Sequence, residues 1–138
     1  MINFYTEEVV FPALNFKDVK QWIKKIIENH KFKLGDVSII FCNDEYLLSI
    51  NKTYLNHNYY TDIITFNYNN KNVLSGDIFI SVDTVKLNAK EFAVTESDEF
   101  LRVIIHGILH LLGFNDSNDE EKLEMRRKEN ESLELFFN

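Results

Sequence analysis

An α+β fold, with a four-stranded mixed sheet and about five helices, is what this 138-residue sequence predicts. Two observations carry that expectation. Runs rich in β-branched and aromatic residues are mixed with helical stretches and do not alternate strictly with them. The helical stretch from about Asp98 to Leu112 is apolar on nearly every side, as expected for a helix buried against a sheet. At this length a single domain covering 1–138 is expected. A hydrophobic content of 45% and an aromatic content of 14% provide its core without disulfides or other staples.

Taken in order, Ile2–Tyr5 is a short strand, and Pro12 marks the connection after it. Asn15 is placed to cap a helix over about Phe16–Glu28, whose Phe16, Val19, Ile23, Ile26 and Ile27 recur at helical spacing, with Trp22 flanking. Lys17, Lys20, Lys24, Lys25 and Lys31, on or near its other face, read as a solvated face in preference to a phosphate patch. Lys31–Gly35 has turn chemistry and Val37–Cys42 is a strand. Asn43-Asp44-Glu45 supplies a cap and first-turn acids for a helix over about Asp44–Leu55. Asn56-His57-Asn58 is a loop, Thr61–Tyr68 alternates as a strand, and Asn69-Asn70-Lys71-Asn72 is a turn. Gly76 precedes a strand over Asp77–Val82, and the brief loop before it implies an antiparallel pair. Ser81 or Asp83 caps a helix to about Phe92, and Thr95–Asp98 supplies cap and acid for the next one. Ser117 and Asn118 open a last helix to about Phe136, with its acids first and Arg126, Arg127 and Lys128 later, as the helix dipole favours.

Charge and cysteine usage restrict the function classes. The net charge of −7 falls entirely in the second part of the chain. Residues 1–60 hold seven cations and seven acids, whereas residues 61–138 hold eight and fifteen. Non-specific nucleic-acid affinity comes mostly from phosphate contacts, so RNA binding would need a local basic patch, a bound cation or a partner. The one cysteine, Cys42, lies in an apolar run and reads as a small core residue. No basic segment leads into an apolar one at the N-terminus, and no apolar run is long enough to span a bilayer. A soluble cytoplasmic protein with no membrane partner is expected.

Chemistry concentrates in His106-Gly107-Ile108-Leu109-His110-Leu111-Leu112-Gly113-Phe114-Asn115-Asp116. Histidines four apart share a helix face and can grip one metal ion. Gly113 stands where the helix would stop, and the turn there can carry Asp116 back beneath both imidazoles. A core histidine bonded to a carbonyl is the ordinary reading of one such residue. Two at ligand spacing, followed by a helix-stopping glycine and a carboxylate, point to a metal, because burying unpaired imidazoles costs on the order of 1–3 kcal/mol each. The spacing follows the metzincin zinc motif, except that Gly107 replaces the general-base glutamate and Asp116 the third histidine. Such a ligand helix, zincin-like in outline, is expected to pack on the sheet.

The same residues resemble the signature of the YbeY family, metal-dependent endoribonucleases of ribosomal RNA maturation. Ile50-Asn51-Lys52-Thr53-Tyr54 is similar to the family's Asn-x-x-Tyr segment, Thr61-Asp62-Ile63-Ile64-Thr65-Phe66 to its Thr-Asp-Val-Leu-Ser-Phe strand, and Gly76-Asp77-Ile78-Phe79-Ile80-Ser81 to its Gly-Asp-Ile strand. The resemblance implies one zinc ion per chain, held by His106, His110 and the residue at position 116, where the family has histidine. Aspartate is a competent zinc ligand, and its oxygen makes the site harder, so manganese or ferrous iron should compete better. One less cationic unit of site charge should also acidify a bound water less. The resemblance further implies single-strand-specific cleavage, trimming of the three-prime end of small-subunit ribosomal RNA, ribosome quality control, and ribosome-associated partners. Leu55 stands where the family usually has arginine, which removes a guanidinium suited to phosphate.

Three protein ligands leave a place for water, so a metal-bound water is the expected nucleophile. The sequence does not identify the general base. Asp62, Asp83 and Glu121 are acids that can approach the site, each reading first as a cap or surface charge. A metal-dependent peptidase and a non-catalytic ribosome-associated metal-binding factor are the alternatives to the endoribonuclease. Replacing either histidine is expected to release the metal and, since the helix is buried, to cost part of the fold.

Overall fold

The computed structural model describes residues 1–57 and 59–138, so Asn58 of the expected 56–58 loop lies outside the described residues. The elements run β1 (Ile2–Thr6), α1 (Phe16–Asn29), β2 (Lys33–Cys42), α2 (Asp44–Leu55), β3 (Ile63–Asn67), β4 (Val73–Ser81), α3 (Val82–Glu91), α4 (Glu96–Leu111) and α5 (Asp119–Phe137). Local sequence explains where the helices begin. Asn15, Asn43, Ser81, Thr95 and Asn118 stand in extended backbone, and each side-chain oxygen accepts a hydrogen bond from the backbone N–H three residues on. Of the two candidates ahead of α3, Ser81 is the cap. Asp83 instead accepts a hydrogen bond from the Asp44 backbone N–H at 3.0 Å, fixing the start of α2.

The sheet has the order β1-β2-β4-β3, with the first two pairings parallel and the last antiparallel. Two strands begin earlier than expected, at Lys33 instead of Val37 and at Val73 instead of Asp77. These extra residues pair with one another, Lys33 with Val73 and Leu34 with Leu74, across a register shift between Leu34 and Val37. Gly35 reads locally as a turn but sits in that irregularity, where a Cβ would collide with Ser75 and the Leu74 carbonyl. β3 is shorter than the alternating run that predicts it.

One face of the sheet carries the main core, in which Ile39, Phe41, Ile78 and Ile80 meet Ile23 and Ile27 of α1 and Ile104, Ile105 and Ile108 of α4. On the other face a smaller cluster of Cys42, Leu47 and Ile64 is backed by Tyr46, Phe66 and Phe79. Burial, reinforced by the charges of Asp44, Asp83 and Glu7, pushes the Cys42 thiol up to about 12, so it stays protonated and unreactive at neutral pH. Among the described residues no helix is long and apolar enough to cross a membrane.

α4 lies close on the sheet because Gly107 lets it. A Cβ at that position would stand 2.9 Å from Ile63 Cδ1 and 3.0 Å from Ile78 Cγ2. Gly107→Ala should therefore destabilise the protein by up to about 2 kcal/mol, the overpacking cost of about 1–3 kcal/mol being offset by the better helix propensity of alanine, about 1 kcal/mol. Denaturant unfolding checks this, and an unchanged or raised midpoint would show that α4 has room to recede.

Candidate metal centre

The last turns of α4 and the turn after them build the site. His106 and His110 are four apart and so share a helix face. The helix then stops in a Schellman motif, the Phe114 N–H donating to the Leu109 carbonyl and the Gly113 N–H to the His110 carbonyl, each at 3.0 Å. Gly113 has φ +106°, and nothing lies within 4 Å of where its Cβ would be, so the backbone and not the space demands glycine. The chain turns back through Asn115–Ser117 to α5. There the Glu121 N–H donates to Asn118 Oδ1 at 2.8 Å, and the Ser117 N–H donates to the Glu121 carboxylate at 3.1 Å. This capping pair gives Glu121 a structural task and holds the loop that carries Asp116.

Those connections bring three donors to one point. His106 Nε2 and His110 Nε2 are 3.0 Å apart, and Asp116 Oδ2 is 3.3 Å from each. Ligands at tetrahedral corners, bonded to zinc at about 2.0–2.1 Å, stand roughly 3.3–3.4 Å from one another. The triangle thus has the dimensions of three corners around one small cation. Its protonation chemistry fits too. The Nδ1 of His106 donates to the Glu129 carboxylate at 2.7 Å, so the neutral ring turns its Nε2 lone pair to the triangle. Two imidazole nitrogens and a carboxylate oxygen that close need a proton or a metal between them.

Glu129 is the residue that sequence reasoning missed. It is 4% exposed, and its second oxygen accepts from Arg102 Nη1 at 2.9 Å. Arg102 also donates to Asn130 Oδ1 at 3.0 Å. Burial pulls the His106 imidazole down, but the hydrogen bond and charge of Glu129, with the charges of Asp116 and Asp62, outweigh it and leave the ring above its usual value. Burial likewise raises the Glu129 carboxyl, yet the hydrogen bonds from His106 and Arg102 hold it below the usual range. A carboxylate behind a ligating imidazole fixes its tautomer and orientation. The available signal was periodic: Glu129 and Ser132 occupy the face of α5 otherwise buried by Met125.

The triangle opens into a cleft of about 590 Å³, which His106 and Asp116 line with Lys122, Met125, Arg126 and Glu129. An adjoining cavity of about 230 Å³ adds Asp62, Glu99 and Arg102 around His106. Of the three sequence-proposed acids only Asp62 approaches the site in this way, Asp83 and Glu121 being used as described. A groove of about 630 Å³ beyond Gly113, walled by Glu120, Glu121 and Glu124, contains none of the converging donors. Leu55 is the exposed last residue of α2, followed by Asn56 in the left-handed region. Gly107 points into the sheet, away from the cleft.

If Asp116 is the third ligand, Asp116→Ala should weaken metal binding by at least tenfold, while Asp116→His should retain it and favour zinc more strongly over manganese. Competition with a chromophoric chelator reads both, and an alanine variant of undiminished affinity would remove Asp116 from the site.

Comparison with known proteins gives a consistent result. The family model described as "Endoribonuclease YbeY" matches residues 2–136. A protein of that name from Parabacteroides distasonis is 48% identical over 135 residues, covering 98% of this chain and 95% of the relative. Another, from Phocaeicola vulgatus, is 45% identical and covers 99% of both chains. Among solved structures, the solution structure of a Thermotoga maritima protein superposes with a TM-score of 0.73 at 27% identity, covering 99% of this chain and 89% of that one.

Proposed function

Because the chain belongs to the YbeY endoribonuclease family, we propose that it is a metal-dependent endoribonuclease that hydrolyses phosphodiester bonds of single-stranded RNA during ribosomal RNA maturation. The observation that carries the metal dependence is the triangle of His106 Nε2, His110 Nε2 and Asp116 Oδ2, with sides of 3.0–3.3 Å. These three residues would hold one divalent cation, and zinc suits their nitrogen-rich set best. When bound, such a cation supplies Lewis acidity, acidifying water and neutralising charge on a phosphoryl oxygen. The chain's own groups do the rest. Glu129 holds the His106 Nδ1 proton and so presents the Nε2 lone pair, and Arg102 holds Glu129 in place. Asp62 and Glu99 both line the adjoining cavity, and we assign Asp62, whose charge bears on His106, to accept a proton there. The small ribosomal subunit is the assembly in which this RNA would be met, and the cytoplasm the compartment, with all of residues 1–138 forming the one catalytic domain.

Peptide hydrolysis is disfavoured by a specific contact. The position at which a zincin carries its glutamate is Gly107, whose Cβ direction runs into Ile63 and Ile78. Incubating the protein with end-labelled single-stranded RNA and with a denatured protein substrate, each with and without chelator, tests the proposal. Cleavage of RNA alone, abolished by chelator, is the expected result. Cleavage of the protein substrate alone would turn the reading to a peptidase. Co-sedimentation with small subunits without cleavage would turn it to a non-catalytic factor.

A further inference from the structure

An acidic chain that cleaves RNA needs cations where the phosphates lie, and position 55 supplies none. Two of the cations in this part of the molecule are already engaged. Arg102 serves Glu129 and Asn130, and Arg127 is held by Glu124 and Glu131 at 2.6 and 2.7 Å. Lys122 and Arg126 differ. They are four residues apart on α5, hence on one face, and both line the cleft that contains His106 and Asp116. Arg126 also lines the adjoining cavity around His106, so it is shared by the two. Its nearest carboxylate oxygen, Glu129 Oε1, is 3.7 Å away and already accepts from Arg102 at 2.9 Å. Among the described residues the Arg126 side chain makes no hydrogen bond, and the Lys122 side chain makes neither hydrogen bond nor ion pair. Two of the cleft's carboxylates, Asp116 and Glu129, face the imidazoles, and Asp119 belongs to the first turn of α5.

Building on the RNA-cleaving reading above, we propose that Lys122 and Arg126 form a phosphate clamp, gripping the backbone of single-stranded RNA beside the metal centre. A guanidinium fork matches two phosphate oxygens at once, while the lysine ammonium acts as a point charge one turn away. The clamp moves the cationic contribution from the end of α2 to α5, on the helix that also carries Glu129.

The test is a salt titration of RNA binding by the zinc-loaded protein, followed by fluorescence anisotropy of a labelled single-stranded RNA at times short compared with cleavage. Each phosphate contact contributes about −0.7 to the slope of log K against log salt for a single strand, so two contacts give a slope of about −1.4. Lys122→Ala and Arg126→Ala should each make the slope shallower by about 0.7, and the double variant should bind almost independently of salt. Arg126→Lys should keep the slope while weakening binding several-fold. Arg127→Ala removes the same charge from the other side of α5 and should leave the slope unchanged. Slopes unaltered in the Lys122 and Arg126 variants, or reduced equally by Arg127→Ala, would overturn the clamp while leaving the nuclease reading intact. No measurable RNA binding by the unaltered protein would overturn both.

Discussion

His106→Ala and His110→Ala should each strip the protein of its metal. Structural zinc sites with four ligands bind with about 10–16 kcal/mol, so removing one ligand sacrifices roughly a quarter of that, on the order of 10²–10³ in affinity. Protein purified without chelator should contain one equivalent per chain, and either variant, after dialysis, close to none. RNA cleavage should disappear with the metal. The buried character of α4 leads one to expect that these variants also lose part of the fold. The two imidazoles are only 22% and 24% exposed, and His106 also donates to the buried Glu129 carboxylate. Thermal unfolding of the metal-free forms should thus show a loss of stability in both variants, the larger one in His106→Ala, which leaves Glu129 without that donor. Full metal content in both variants would dismantle the site.

Glu129→Gln should produce the largest effect of any residue that does not itself face the metal. Its two carboxylate oxygens serve two donors, His106 Nδ1 at 2.7 Å and Arg102 Nη1 at 2.9 Å. A glutamine has one acceptor oxygen and turns its amide N–H groups toward whichever donor is left. His106 then loses the partner that fixes its tautomer, and metal affinity should fall about 10–100-fold. Arg102→Met should have a weaker effect in the same direction, because it removes the brace on Glu129 and leaves the histidine contact. Chelator competition ranks the two, and this ranking separates positioning from general destabilisation. An affinity within twofold of the unaltered protein in Glu129→Gln would mean that packing alone orients His106.

Short-range signals made much of this legible in the sequence. Caps act over three residues, so Asn15, Asn43, Thr95 and Asn118 announce their helices from local sequence. The pair His106 and His110 with Gly113 is equally local, and the helix stop places Asp116 by geometry that three residues determine. What stayed hidden depends on distant partners. Lys33 and Val73 become strand residues because they pair with each other, and Gly35, which looks like a turn from its neighbours, is absorbed by a register shift in that pairing. Glu129 lies 23 residues from His106 on another helix, and only the packing of α5 against α4 brings them together. Gly107 shows a different limit. The sequence reveals a missing glutamate, but only the packed sheet shows that no side chain would fit there.

The central claim, a nuclease whose activity depends on one metal held by His106, His110 and Asp116, is tested most directly by titrating zinc into metal-stripped protein while measuring the initial rate of single-stranded RNA cleavage. The rate should rise from near zero in proportion to added zinc, break at one equivalent per chain, and fail to rise in His106→Ala. Cleavage at full rate by the stripped protein, or a rate that never responds to zinc, manganese or ferrous iron, would contradict it.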